Sequence, residues 1–156
     1  IESALGIANE TLTVQSYWVP IDKVTKGRLS DSITDIAKKM LEKGHSHVPI
    51  LDGKGAVVGV FSESTMLEAS MAGVSCPQNA TMRDIKDCLL IENHKVDVFK
   101  FVSKDTSIAH LRKMHQEATK RDERIGHVLV TANGDSDQSL LGIINVWDIP
   151  ADDGGT

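Results

Sequence analysis

The sequence has few cysteines and no long apolar run, and both shortages limit what the protein can be. It has 156 residues and two cysteines, Cys76 and Cys88, without a CxxC spacing. We interpret them as free thiols in a reducing compartment, so we expect a cytoplasmic protein. No apolar stretch approaches the roughly 20 residues that span a bilayer, and no basic stretch followed by an apolar segment indicates a signal peptide.

Positive charge and catalytic motifs are also scarce. The formal net charge is -5, which argues against a nucleic-acid binder because phosphate contacts need a basic surface. The sequence has no Gly-x-Ser-x-Gly elbow, no Walker loop and no His-Glu-x-x-His motif. These motifs mark common hydrolases, nucleotide hydrolases and zinc proteases, so we expect a protein that is not an enzyme.

What the sequence does contain is an internal repeat, and a repeat decides the fold. Three segments recur in the same order: residues 32–40 as 107–114, residues 47–50 as 127–130, and residues 58–62 as 141–145. Each copy is predicted to fold as strand, helix, strand, strand and helix. One copy of roughly 60 residues buries too little apolar surface to be stable alone, so we expect the two copies to pack through their sheets.

Local signals place the helices of these copies. Ser32 is expected to cap the first helix, with Asp35 completing a capping box, and Gly44 is expected to end it in a left-handed conformation. Thr81 and Asp84 predict a second capping box. Helical spacing predicts one buried stripe on the first helix, made of Ile33, Ile36, Ala37, Met40 and Leu41.

The order and spacing of these segments resemble the tandem cystathionine-β-synthase (CBS) domain pair, also called the Bateman module. The resemblance is carried by residues 47–55, 57–62 and 141–149 and covers roughly residues 18–150. It implies an α/β (α+β) fold of two βαββα repeats with pseudo-two-fold symmetry, plus a short N-terminal helical segment. The expected parts are an N-terminal segment 1–17, repeat 18–75, linker and connecting helix 76–93, repeat 94–150 and tail 151–156.

The resemblance also implies a ligand site. In this family the cleft between the repeats binds an adenosine-containing ligand such as AMP, ADP, ATP or S-adenosylmethionine, and an Asp in a Gly-x-x-Ser/Thr-x-x-Asp pattern binds the ribose hydroxyls. The second repeat fills this pattern with Gly142, Asn145 and Asp148, although Asn145 replaces the usual Ser or Thr. A carboxylate accepts two hydrogen bonds from a cis-diol. The first-repeat residues implied to face the base and phosphates are Ile21, Val24, Thr25, His45, Ser46, His47 and Pro49.

The other cleft is predicted to be weaker. Gly59, Ser62 and Thr65 fill the pattern in the first repeat, so a threonine stands where the family has Asp. A hydroxyl does not match a carboxylate at a diol. We expect this site to be empty, weak or tuned to another ligand. Its remaining implied residues are Val98, Lys100, Ile125, Gly126 and His127.

Plainer interpretations of the same residues stay open. Asp148 is also suited to capping the turn that follows it, or to lying solvated at a strand end. His45 and His47 suggest a metal pair, but no third ligand lies nearby in the sequence. The leading prediction is a regulatory, ligand-sensing module without a catalytic cofactor, forming a homodimer.

Two alternatives to that function also stay open. The first is a structural homodimerisation module with a vestigial cleft. The second is a regulatory domain of a larger transporter or enzyme. Met66, Leu67 and Met71 are the candidate interface residues.

Overall fold

The computed structural model describes residues 12–73, 79–94 and 98–150. The strands are β1 Val19–Pro20, β2 His47–Leu51, β3 Val57–Ser62, β4 Val98–Ser103, β5 Ile125–Thr131 and β6 Gly142–Ile144. The α-helices are α1 Ile33–Lys43, α2 Glu63–Met71, α3 Lys86–Leu89 and α4 Ile108–Lys120. Short 3₁₀-helices lie at Val14–Ser16, Ile21–Lys23, Met82–Ile85, Ile91–Asn93 and Val146–Asp148. The tail, most of the N-terminal segment and Cys76 of the linker lie outside the described residues.

The chain divides into two compact units. The first-repeat unit consists of residues 23–96 and 136–139, and the second-repeat unit consists of residues 1–22, 97–135 and 140–156. Each unit contains strands and helices with its own buried core, which confirms the mixed α+β fold and the duplication. Within the described ranges, none of the helices has both the length and the apolar character needed to cross a membrane.

The second-repeat unit is built on a four-stranded sheet in the order β1-β6-β5-β4. β4 and β5 are parallel and are joined through α4, while β5, β6 and β1 pair antiparallel. The pairing of β1 with β6 requires Gly142, because a Cβ added there would overlap the Trp18 ring. Its core residues are Val14, Val102, Ile108, Leu111, Ala118, Ile125, Val128, Val130 and Ile144.

The first-repeat unit is built on the antiparallel hairpin β2–β3. The predicted strand entering this repeat is reduced to one parallel bridge, in which Gly27 N donates to Pro49 O at 3.0 Å. Ile21 lies instead in a 3₁₀-helix, and Val24 and Thr25 lie outside any strand. Glycine pairs poorly in strands because it has no side chain to pack, and this limits the strand to a bridge.

The ends of α1 form as the sequence predicts. The Ser32 hydroxyl accepts a hydrogen bond from Asp35 N at 3.3 Å, and Gly44 adopts φ 67°. The second predicted capping box is also present, since Thr81 N donates to the Asp84 carboxylate at 2.9 Å. These caps satisfy backbone donors that a helix start leaves without intrahelical partners.

The predicted buried stripe of α1 is wrong at Leu41. Ile33, Ile36 and Met40 are buried, but 81% of Leu41 is exposed. Each residue advances about 100° around a helix, which places Leu41 on the flank of the stripe. The two-stranded sheet is too narrow to cover that flank.

The end of the second repeat also differs from the prediction. The closing strand, predicted to span residues 140–146, is only Gly142–Ile144, and the predicted final helix is replaced by the 3₁₀-helix Val146–Asp148. Pro150 lies two residues after this 3₁₀-helix. Proline restricts the residue before it to extended conformations, and Ile149 is extended with φ -83° and ψ 128°, so the helix ends before Ile149.

The core of the first-repeat unit lies between α1, the hairpin and the connecting segment. Gly59 of β3 packs directly on α3, and a Cβ added there would lie 2.6 Å from Leu89 Cβ. This close approach is what joins the connecting segment to the hairpin. The buried residues of this core are Ile33, Ile36, Met40, Val48, Ile50, Phe61, Ala69, Ala80, Met82, Ile85 and Leu89.

Candidate functional site

Asp148 ends the short turn that follows β6, and its side chain is exposed. Asn145 caps this turn, because its Oδ1 accepts a hydrogen bond from Trp147 N at 2.9 Å and its backbone O accepts one from Asp148 N at 2.9 Å. Within the described residues, the Asp148 carboxylate accepts no hydrogen bond and forms no ion pair. Both of its oxygens are therefore available to hydroxyl donors.

The structure gives Asn145 a local role that the sequence did not indicate. Its side-chain oxygen is used by Trp147 N, so only the amide NH₂ remains to donate to a ligand. Asn at the start of a turn is a common way to bond a backbone N–H two residues ahead. Asn145 therefore caps the turn that carries Asp148.

The first-repeat unit brings together polar side chains from two segments. His45 Nδ1 lies 2.9 Å from Thr25 Oγ1, although the two residues are 20 positions apart. The left-handed Gly44 turns the chain at this point, and His45 N donates to Met40 O at 3.0 Å. The Thr25–His45 pair is thus fixed by the end of α1, with Thr25 buried and His45 exposed.

The next residues begin β2. Ser46 Oγ lies 2.8 Å from His47 Nδ1, and His47 is the first residue of the strand. Pro49 is buried, and its carbonyl is used by Gly27 N. Ser46 is exposed and His47 is half-buried, so of these three only Ser46 and His47 offer polar atoms near the surface. Val24 is buried as well.

The two histidines do not alternate along one strand, since His45 precedes β2. Their Nδ1 atoms lie within hydrogen-bond distance of the hydroxyls of Thr25 and Ser46. Across residues 12–73, 79–94 and 98–150, no three His, Cys, Asp or Glu side chains lie close enough together to hold a metal ion.

Thr65, which stands at the Asp position of the other pattern, is fully buried. Its Oγ1 accepts a hydrogen bond from Ser62 N at 3.0 Å and lies 3.1 Å from Ser62 Oγ. This is a capping box at the start of α2, and Ser62 Oγ also lies 2.9 Å from Ser64 Oγ. The Thr65 hydroxyl is therefore engaged in holding the helix start.

The second-repeat residues implied for that other site lie on neighbouring parallel strands. Val98 of β4 is opposite Ile125 of β5, which is followed by Gly126 and His127. Ile125 and Gly126 are buried, while His127 is half-buried. Lys100, further along β4, is half-buried too. Polar side chains in this group come only from Lys100 and His127.

A cavity that the sequence did not predict lies between α1 and α2 of the first-repeat unit. It has a volume of about 470 Å³, and apolar side chains from both helices line it, including Met40, Leu41 and Met66. His45 and Glu63 are its charged or polar residues apart from Ser46. The signal in the sequence was the apolar residues Leu41 and Met66, of which Leu41 is largely exposed and Met66 packs partly buried against the core.

An electrostatic perturbation lies at the end of α4. Arg121 Nε donates to Glu123 Oε1 at 2.9 Å. This hydrogen bond lowers the pKa of Glu123 and raises the pKa of Arg121. Both groups lie in the polar helix end that the sequence predicts to be solvated, so the pair is screened by water.

Comparisons with known proteins agree with this architecture. The model of the CBS domain family matches residues 19–72. No curated protein sequence matches the chain.

Three solved structures share its fold. The structure of CBSX2 in complex with AMP has a TM-score of 0.63 and 18% identity, covering 88% of this chain and 92% of that one; CBSX2 is a CBS-pair protein from Arabidopsis thaliana. The CBS domain pair of MJ0100 with 5′-methylthioadenosine and S-adenosyl-L-methionine has a TM-score of 0.58 and 17% identity, covering 88% and 92%. CbpB in complex with c-di-AMP has a TM-score of 0.67 and 16% identity, covering 94% and 87%. Residues 19–72 match the CBS domain family, and the chain has the fold of the CBS-domain pairs in these structures.

Proposed function

We propose that the chain is a regulatory module that senses an adenosine-containing ligand and has no catalytic role. The observation that carries this proposal is the exposed Asp148 carboxylate, which has no partner within the described residues and stands on a turn capped by Asn145. A carboxylate of this kind accepts two charge-assisted hydrogen bonds from a ribose diol. The ligands of the CBSX2, MJ0100 and CbpB structures support the choice, since each contains adenosine.

The first-repeat segment supplies the second part of the proposal. Thr25, His45, Ser46 and His47 offer hydroxyl and imidazole groups for the base or the phosphates. A hydroxyl can donate to a phosphate oxygen, and an imidazole can donate through its ring N–H.

The test is a ligand panel on the intact chain and on Asp148→Ala. AMP, ADP, ATP and S-adenosylmethionine are each titrated by calorimetry and by thermal shift. A ligand at 100 times its Kd stabilises the protein by about 2.7 kcal/mol. Loss of charge-assisted hydrogen bonds worth about 1.5–3 kcal/mol each predicts at least a roughly tenfold weaker Kd for Asp148→Ala.

The matched control is Asp137→Ala. Asp137 is an exposed aspartate in the loop before β6, so its removal changes the net charge by the same amount and should leave the Kd unchanged. The proposal fails if no compound in the panel binds. It also fails if Asp148→Ala binds as tightly as the unmodified chain.

A specific observation favours a second function, homodimerisation. Leu41, Leu67 and Met71 are 81%, 63% and 80% exposed, and Leu41 lines the apolar cavity between α1 and α2. Leu67 and Met71 are four residues apart and so lie on one face of α2, and exposed large apolar side chains that share a face are typical of association surfaces. We propose that this helix face binds a second copy of the chain.

Sedimentation over a range of concentrations tests the dimer. Leu41→Glu and Met71→Glu should each weaken association by at least about tenfold, because a charge replaces apolar area at the interface. Thr34→Glu, at an exposed position of α1, is the control and should leave association intact. A chain that is monomeric at every concentration, with no effect of the substitutions, would rule out this function.

A further inference from the structure

The turn that carries Asp148 is supported by one face of helix α4. Arg112 Nη2 donates to Pro150 O at 2.8 Å. The ring of His115 meets the ring of Trp147 edge to face, with centroids 5.3 Å apart and planes at 77°. Arg112 and His115 are three residues apart, so they lie on the same face of the helix. This face therefore contacts the chain on both sides of Asp148.

We propose that Arg112 and His115 are positioning residues for the Asp148 carboxylate. This inference rests on the proposed function, in which Asp148 binds the ribose. The turn is a 3₁₀-helix of three residues with few bonds of its own: Asp148 N to Asn145 O at 2.9 Å, Ile149 N to Val146 O at 3.3 Å, and the Asn145 cap on Trp147 N at 2.9 Å. Val146 and Ile149 pack partly buried against the core, whereas Trp147 and Asp148 are exposed and depend on other contacts. So short a helix has poor hydrogen-bond geometry and forms reliably only with outside support.

Fixing the turn before the ligand arrives raises affinity. A mobile carboxylate must lose conformational freedom when it binds, and that loss is subtracted from the binding free energy. Contacts at Trp147 and Pro150 restrain the residues just before and shortly after Asp148, so they limit the directions that its side chain can take. Helix α4 does this from a rigid element, which is more precise than support from another loop.

The Arg112–Pro150 and His115–Trp147 contacts are not expected to stabilise the core. Trp147 is 76% exposed and Arg112 bonds an exposed carbonyl. His115 Nδ1 is buried and has no hydrogen-bond partner within the described residues, which costs stability. Removing these side chains should therefore affect the turn more than the fold.

The experiment compares Trp147→Ala, Arg112→Ala and His115→Ala with the unmodified chain. AMP, ATP and S-adenosylmethionine are titrated by calorimetry, and NMR order parameters are measured for the backbone amides of Trp147 and Asp148 without ligand. We expect each variant to bind roughly threefold to tenfold more weakly. The order parameters should fall from about 0.85 toward 0.6 or below, the range of flexible backbone, while the unliganded Tm stays close to that of the unmodified chain.

Two further variants separate positioning from a general structural role. Trp147→Phe keeps an aromatic ring against His115 and should restore the affinity that Trp147→Ala loses. Lys113→Ala removes a positive charge from an exposed neighbouring position of α4 and should change neither affinity nor order parameters. If the unliganded Tm falls in step with affinity, or if Phe does not restore binding, the residues are structural and the inference is wrong.

The outcomes distinguish this inference from the proposed function. If Asp148→Ala weakens binding while Trp147→Ala and Arg112→Ala do not, the proposed function stands and the positioning role is wrong. If no compound binds, or if Asp148→Ala binds normally, the proposed function fails and the positioning role falls with it. If the order parameters stay unchanged in the α4 variants, the helix does not hold the turn, whatever the ligand data.

Discussion

Replacing Thr65 with valine separates a structural role for this residue from a ligand-binding role. The substitution keeps the shape of the side chain and removes only its hydroxyl. That hydroxyl accepts a hydrogen bond from Ser62 N at 3.0 Å and lies 3.1 Å from Ser62 Oγ, and both residues are buried. After the change, the Ser62 N–H has lost its acceptor at the start of α2.

The magnitude follows from that orphaned donor. Leaving one buried backbone donor without a partner costs about 1–3 kcal/mol, and loss of a helix cap costs about 0.5–2 kcal/mol by a separate scale. These figures describe the same bond and are not added. For a chain of this size, 1 kcal/mol shifts Tm by about 2–4 °C, so Thr65→Val should lower Tm by roughly 2–12 °C.

Circular dichroism melting and urea titration measure this effect, with Thr34→Val as the control. Thr34 is an exposed threonine near the start of α1, so its replacement should shift Tm by little. The same proteins are titrated with AMP and S-adenosylmethionine, for which Thr65→Val should keep the affinity of the unmodified chain. An unchanged Tm would refute the capping argument, and a weakened Kd without loss of stability would show that Thr65 contacts the ligand.

Two glycine substitutions test the packing and the helix end. Gly59→Ala places a Cβ 2.6 Å from Leu89 Cβ; overpacking of this kind costs about 1–3 kcal/mol, which urea unfolding should detect, whereas Gly53→Ala has open space and should be neutral. Gly44→Ala also has open space, but its φ of 67° is unfavourable for a residue with a Cβ. It should cost about 1–2 kcal/mol, and equal stability to the unmodified chain would mean that the left-handed cap is not needed.

The sequence predicted the features that depend on neighbouring residues. The caps at Ser32, Gly44 and Thr81 are set within a few positions of the chain, so their residue types were sufficient to identify them. The duplication was visible because the two copies repeat the same order of apolar and turn residues. These signals need no knowledge of tertiary contacts, and the α+β fold followed from them.

Two of the three errors came from contacts between distant segments. Helical spacing places Leu41 beside the buried stripe, but only the width of the sheet decides whether that flank is covered. The strand predicted to enter the first repeat is only a bridge at Gly27. The sequence indicates that β2 is its partner but does not show over how many residues the two pair. The final helix of the second repeat was predicted from the repeat pattern, without regard to the nearby Pro150. The structure has a 3₁₀-helix there instead.

The candidate site also combines residues that the sequence indicated with contacts that it did not. Asp148 was identified through the resemblance to the CBS domain pair, because it fills the Asp position of that family's Gly-x-x-Ser/Thr-x-x-Asp pattern beginning at Gly142. The supports of its turn were missed, since Arg112 and His115 come from a helix more than 30 positions earlier and have no motif of their own. The role of the Asn145 oxygen was hidden because an amide serves equally well as a cap or as a ligand contact.

The pairing of β1 with β6 has a consequence for folding during translation and for truncation of the chain. Val19 lies opposite Ile143, so the sheet of the second-repeat unit joins residues from opposite ends of the described chain. A ribosome must release residues 19–144 before that sheet is complete, and closing so large a loop makes this a late step of folding. A gene fragment beginning after the first repeat would leave β6 with an open edge, which favours aggregation. Adding a peptide that contains residues 12–22 should then restore the missing strand.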